Sequence, residues 1–317
     1  MSMNETTETE NKKSKTPIST TENLSYHVAL TLVRLIAWVP FRVLYALSDL
    51  LFPVFYHLVR YRRRLVRRNL QESFPEKSHG EIVQIEKRFY HFFIDMALES
   101  CKLLTISREE MRCRLKFNNI ELADRMLAQG QSISMFLGHY GNWEWLSTIA
   151  LWLHEEAVVA QIYHKLRNKA MDRVMLTMRQ RMGHKCVEMY KTVRYMAKAA
   201  ADRRPHMIGF ISDQSPKHRE VKDYMHFLNH QIPVLTGSEK ATKHFGYQAI
   251  FVAVRRVRRG YYECDLQTLA DDPKSLPDFE LTRRYYERLE QEIRQHPELY
   301  LWSHNRFKYA VRGQQEN

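Results

Sequence analysis

The sequence predicts an α/β protein with a mixed, mostly parallel central sheet flanked by helices and an N-terminal membrane-associated helical segment. Three observations carry the prediction. First, short apolar runs alternate with helical patterns from about residue 78 to residue 295, as in a parallel sheet covered on both faces. Second, two late runs are separated by Arg259-Gly260, a turn that joins an antiparallel pair and makes the sheet mixed. Third, a long apolar stretch precedes all of this. At 317 residues the chain is long enough for one large domain with additional elements.

The elements read in order. Residues 1–23 are rich in Ser, Thr, Glu, Asn and Lys and predict a disordered tail, with no secretory signal pattern. Residues 24–60 form the membrane segment, either spanning or interfacial. The run 25–58 is long enough to cross a bilayer, but Arg34, Arg42 and Asp49 interrupt it, and Pro40 and Pro53 can kink it. On one continuous helix those three charges share about a quarter of the circumference, which suits a helix lying in the interface or packed on the protein's own body. Arginines 60, 62, 63, 64, 67 and 68 follow; beside an apolar segment they suit anionic headgroups and a cytoplasmic side, or else form a solvated helix face.

Residues 61–312 are the main domain. Residues 78–104 are helical, with Ile82, Ile85, Phe89, Phe92, Phe93 and Met96 on one face. Helices are expected at 120–129, 167–182, 192–203, 237–245 and 279–295, the first two stopped by Gly130 and Gly183 and the fourth by Gly246. Strands are expected at 132–137, 157–162, 185–189, 206–211, 248–255 and 261–267.

Composition bounds the function. The formal charge of +13 favours an anionic partner: nucleic acid, an anionic bilayer or an acidic protein. Apolar (44%) and charged (27%) fractions are ordinary for a folded chain. Cys101, Cys113, Cys186 and Cys264 are scattered and form no CxxC pair, so neither a zinc ribbon nor a disulfide framework is indicated, and a reducing compartment is the simplest reading.

The segment that carries chemistry is 134–145, SMFLGHYGNWEW. An apolar strand ends at Gly138, His139 follows, a second glycine permits a tight turn, and a helical pattern starts near Trp143. That places His139 at the carboxyl edge of a sheet, where ligands bind in open α/β folds. A hydroxyl needs a base to become a nucleophile near neutral pH, and histidine is the usual one. A carboxylate on its other ring nitrogen would fix the tautomer, and Glu144 stands five residues on. Alternatively, His139 caps the helix or packs under Trp143, and Glu144 is a solvated helix residue. His218 and Asp223 share the spacing but lie in a charged stretch with no preceding strand or glycine turn.

GHYGNWE resembles the H-x4-E motif of the lipid A late acyltransferases, within the lysophospholipid acyltransferase-like superfamily. RRRLVRRNLQESFPE, IYHKLRNKAMDRVM, IGFISDQSP, IPVLTGSEKATKHFG and HPELYLWSHNRFK resemble further family segments, in family order from about Arg60 to Lys308. The resemblance implies an O-acyltransferase in which His139 is the general base and Glu144 its partner. Arg167, Asp213 and Gln214 would line the site, and Asn142 is grouped with the substrate-binding residues while also shaping the turn. Arg167 would grip a phosphate or polarise a carbonyl, or else be a surface charge at a helix start; Asp213 could instead cap its loop. The acyl donor would be acyl carrier protein, an acidic partner for the basic clusters at 62–64 and 255–259. The acceptor would be a hydroxyl of a lipid A precursor, or of another membrane lipid such as an aminolipid or lysophospholipid. No metal or resident cofactor is implied, since phosphopantetheine enters with the carrier. The implied location is the cytoplasmic side of the inner membrane, beside an anionic surface. Tyr140 departs from the Phe common in the family, and the apolar anchor is less clean. A membrane-attached basic nucleic-acid-binding protein is the reading from another class, but no nucleic-acid motif is present and the arginines crowd against the apolar segment instead.

Overall fold

The computed structural model describes residues 20–154, 156–202, 204–217, 221 and 223–311. Most of the expected tail, and His218 of the second His/Asp pair, lie outside these residues.

The apolar segment is two helices rather than one. Helix α1 spans Thr20–Trp38, and so begins inside the expected tail; α2 spans Phe41–Pro53. Pro40 is the N-cap of α2, where its missing N–H costs nothing and its fixed φ (−57°) turns the chain. Pro53 does not end the helix; the wider π-helical turn Val54–Val59 carries it on. The break at Pro40 separates Arg34 from Arg42 and Asp49, so the single polar stripe expected of one continuous helix does not form. Phe41–Val59 is nevertheless apolar and long enough to cross a membrane, with mean hydropathy 1.3 and only 17% of it buried.

The buried side of α2 rests on the long helix α4 (His79–Cys101), reached through α3 (Arg63–Ser73). Ser78 caps α4 in a capping box with Glu81, and Ile82, Ile85, Phe89, Phe92 and Met96 enter the core at helical spacing. Half of the arginine cluster turns inward. Arg63 and Arg67 bind the fully buried Glu86, and Arg62 donates to the Ser303 carbonyl, while Arg64 and Arg68 stay exposed.

The chain then runs α5 (Arg108–Arg114), β1 (Leu115–Phe117), α6 (Glu121–Ala128), β2 (Ile133–Leu137), α7 (Trp143–Leu146), β3 (Val158–Tyr163), α8 (Lys169–Gln180), β4 (Lys185–Glu188), α9 (Thr192–Ala200) and β5 (His206–Ile211). A small antiparallel pair, β6 (Tyr224–Phe227) and β7 (His230–Pro233), precedes α10 (Gly237–Phe245), β8 (Gln248–Arg258), β9 (Tyr261–Ala270) and α11 (Glu280–Gln295). The seven-stranded sheet has the order β1-β9-β8-β2-β5-β3-β4, parallel throughout except for the β8–β9 hairpin. Its middle strand β2 is wholly buried, as the continuous run ISMFL requires. After β2 the chain passes beyond β5 to reach β3; after β5 it passes beyond β2 to reach β8. Two adjacent strands whose connections leave in opposite directions open a crevice at their carboxyl ends.

Candidate active site

His139 and Asp213 stand at that crevice. Leu137 of β2 is paired with Ile211 of β5, so His139 and Asp213 each lie two residues beyond the same rung of the ladder. The imidazole Nδ1 is 2.7 Å from Asp213 Oδ1, and the His139 backbone N–H donates to Oδ2 at 3.1 Å. Nδ1 therefore carries the proton, and Nε2 is the acceptor, 3.1 Å from the Gln214 amide nitrogen. Asp213 is buried while the His139 side chain is 17% exposed. Burial would raise the Asp213 pKa, but its charge and hydrogen-bond contacts with His139 outweigh this and hold the carboxyl below the ordinary carboxylate value.

The turn that presents the ring depends on both glycines. A Cβ on Gly138 would meet Leu289 Cδ1 of α11 at 2.5 Å; one on Gly141, at φ +61°, would meet Val254 Cγ1 at 2.7 Å. Trp143 packs edge-to-face against the imidazole with centroids 5.3 Å apart. Helix α11 closes the strand ends from behind: Tyr285 donates to the Leu137 carbonyl at 3.0 Å and Tyr286 to the Ser212 carbonyl at 2.9 Å. The C-terminal segment wraps the turn, with Leu301 N–H on His139 O (3.1 Å) and Gly141 N–H on Leu299 O (3.0 Å). Asn69 holds that segment through the Trp302 and His304 carbonyls, joining positions 233 and 235 residues apart.

Glu144 is placed differently from the sequence expectation. The first turn of α7 carries its carboxylate to Arg179 of α8, which donates to both oxygens at 2.8 and 2.6 Å. The two side chains are 8% and 18% exposed, and among the described residues no hydrogen bond joins Glu144 to His139. The ring's carboxylate partner is Asp213, which reaches Nδ1 from just beyond the neighbouring strand, whereas Glu144 on α7 is directed to Arg179. Burial would lower the Arg179 pKa, but the hydrogen bond and charge of Glu144 raise it above the ordinary value.

Of the other expected residues, Gln214 joins the ring, whereas Asn142 and Arg167 do not. Asn142 is buried, with its Nδ2 donating to Glu99 at 2.9 Å and its Oδ1 capping α7 at the Trp145 N–H (3.3 Å), so neither end is free for substrate. Arg167 is exposed on the loop before α8, whose cap is Asn168. Arg179, Glu99, Tyr285 and Tyr286 were not singled out by the sequence. Glu99 also receives hydrogen bonds from Tyr45 of α2 (3.0 Å) and Tyr262 of β9 (2.7 Å), which links α2, the hairpin and the turn after His139 through one buried carboxylate.

Comparison with known proteins identifies the family. The chain is 22% identical over 273 residues to a lipid A biosynthesis acyltransferase of Haemophilus influenzae, an alignment covering 84% of this chain and 82% of that protein. The sequence profile of the bacterial lipid A biosynthesis acyltransferases matches residues 11–309, which is nearly the whole chain and includes every site residue described above. The chain belongs to the bacterial lipid A biosynthesis acyltransferase family.

Proposed function

We propose that this acyltransferase moves a fatty acyl chain from an acyl carrier protein thioester to a hydroxyl of a lipid A precursor, with His139 as general base. The observation that carries the reading is the ring itself: Nδ1–H is held by Asp213, which leaves Nε2 a proton acceptor at the mouth of the crevice. The Gln214 amide occupies Nε2 in the free protein, and the acceptor hydroxyl would take its place. Nε2 removes the hydroxyl proton as the oxygen attacks the thioester carbonyl carbon. The resulting imidazolium is stabilised by Asp213. The carbon–sulfur bond then breaks and the leaving thiolate takes the proton back, giving the ester and the free carrier thiol.

On this reading Glu144 acts through Arg179. The ion pair fixes α7 to α8 and so fixes the turn between β2 and α7. The carrier protein is acidic and would dock on outward-facing arginines; Arg64 and Arg68 of the first cluster and Arg255 and Arg258 of the second are exposed. Membrane attachment through α1 and α2 would leave the catalytic domain on the cytoplasmic face of the inner membrane. Asp49 of α2 is bound to Arg259 of the hairpin at 2.8 Å, which favours a helix lying on the protein's body over one crossing the bilayer.

The test is an assay with purified acyl carrier protein thioesters and a lipid A precursor. His139→Ala should abolish transfer, by the roughly 10²–10⁴-fold or more that acid–base catalysis contributes, while the protein stays folded. Near-normal turnover by that variant would overturn the assignment. Transfer to a lysophospholipid or aminolipid but not to the precursor would replace the acceptor and keep the chemistry.

A further inference from the structure

Arg306, in the C-terminal segment that wraps the His139 turn, is a buried cation without an ion-pair partner. It is 1% exposed, and among the described residues no carboxylate lies within ion-pair distance of it. Its Nη1 donates to the Pro233 carbonyl of β7 at 3.1 Å and its Nη2 to the Tyr286 hydroxyl of α11 at 2.9 Å. Its Nε is buried with no partner among the described residues. An arginine is almost never fully buried unless an opposite charge compensates for the lost water. Two routes join this one to the His139–Asp213 pair. The first is a relay of hydrogen bonds: the Tyr286 hydroxyl that accepts from Arg306 donates to the carbonyl of Ser212, the residue before Asp213, at 2.9 Å. The second is charge. Burial works to raise the Asp213 pKa; against it stand His139 and then Arg306. The other groups that face Asp213 are neutral near pH 7. Burial lifts the phenols of Tyr285, Tyr286 and Tyr300 above their ordinary value and pushes the His304 imidazole down to about 4.

We infer that Arg306 is a positioning residue for acyl transfer: it is the counter-ion of Asp213, held out of contact with it, while Tyr286 ties it to the backbone that carries Asp213. This rests on the reading of His139 as general base. In direct contact a guanidinium fork would take both carboxylate oxygens, as Arg179 does with Glu144, and leave them less free for the imidazole. Out of contact it still acts, because charges interact more strongly across a protein interior than across water. A buried carboxylate alone would favour a proton resting on the ring; a fixed cation offsets that and leaves Nε2 an acceptor for the hydroxyl. The two buried ions together are neutral before proton transfer. Once Nε2 takes the proton the cluster is positive, just as negative charge develops on the thioester oxygen.

The experiment is the pH dependence of kcat/KM in the full chain, with R306M and R306Q removing the charge, R306K keeping it, and Y286F keeping it while cutting the relay. R306M and R306Q should lose about tenfold near pH 7 and regain it in alkali, because the acid limb of the profile moves up by about one pH unit. R306K should keep the wild-type limb. Y286F should also keep it, with kcat lower by about tenfold at every pH, as for a misplaced reacting group. Wild-type limbs in folded R306M and R306Q, or the same displacement in R306K, would overturn the charge role; wild-type kcat in Y286F would overturn the relay. A double-mutant cycle in thermal midpoints checks the pairing without turnover. D213N should lower the midpoint less in R306M than in wild type, or rescue folding if R306M alone does not fold. Equal drops, or no rescue, would overturn the pairing. An inactive H139A beside a wild-type profile in R306M sinks this inference alone. An active H139A sinks the general-base reading, on which the stability cycle does not depend.

Discussion

At the scale of single residues, two carboxylates near His139 have different tasks. Asp213 touches the ring, so Asp213→Asn should leave the fold intact and reduce kcat by about 10⁴-fold, as when an amide replaces the orienting acid and imposes the wrong tautomer. Glu144 touches Arg179 instead. Glu144→Gln leaves a half-buried guanidinium without its counter-charge and should cost about 1–3 kcal/mol of stability, read as a lower midpoint in urea, with the remaining folded enzyme still active. A large kcat loss in Glu144→Gln at unchanged stability would return Glu144 to the reaction itself. The H-x4-E spacing was visible in the sequence and His139 was placed by its strand and glycines. The pairing with Asp213 was not visible, because it joins residues 74 apart across two neighbouring strands. Spacing along the chain reports what shares a turn, and here the partner that matters comes from the sheet.

At the scale of elements, legibility followed local signals. Strand 206–211 and helix 237–245 lie where a six-residue apolar run and a Thr-Gly start with a glycine stop place them. Helix α4 was legible from its 3.6 period, and the structure adds the capping box of Ser78 with Glu81 at its start. Ser78→Ala should therefore lower stability by about 1 kcal/mol, measurable as a shift in thermal midpoint, with no change in specific activity. The elements that escaped have weak local codes. Strand β1 is three residues long and is held by its partner β9, and β6 and β7 make a hairpin of four-residue strands with no long apolar run. The turn of β6–β7 uses Leu228 and Asn229 at positive φ, with no glycine to announce it. The arginines at 60–68 read as one cationic surface, yet half of them turn in to bind Glu86 and Ser303, because a buried carboxylate elsewhere in the chain decides where a guanidinium points.

At the scale of the whole molecule, three histidines in different places, His184, His230 and His304, are each pushed down to about 4, in every case first by burial. Arg179 adds to the effect at His184 and Glu144 opposes it; His226 adds to it at His230; at His304, Asp213 opposes it and His139 adds to it. A histidine with a lowered folded pKa is neutral in the folded chain while the unfolded chain takes up a proton. Stability is therefore intact above the unfolded value of about 6.5 and falls as pH drops from there toward about 4. Asp213 acts in a separate window: its folded pKa lies below the ordinary value, so its contribution persists through that range and is lost only at more acidic pH. Denaturation midpoints measured from pH 7 to pH 4 should fall steadily, and His184→Leu should flatten the slope. An unchanged slope in that variant would mean the buried ring is protonated in the folded chain.

The buried carboxylate of Glu99 has one further consequence. From the phenol of Tyr45 to the amide of Asn142 there are two hydrogen bonds, and Asn142 begins the helical turn next to the imidazole. Peeling α2 from the globule, by harsh surfactant or by a deletion ending after residue 59, would withdraw one leg of that tripod and slacken the loop that carries His139 long before the sheet melts. A deletion ending at residue 39 spares the tripod and should keep turnover. Inactivation by solubilisation should thus precede unfolding, and a milder amphiphile that lets the helix settle back should restore the lost rate.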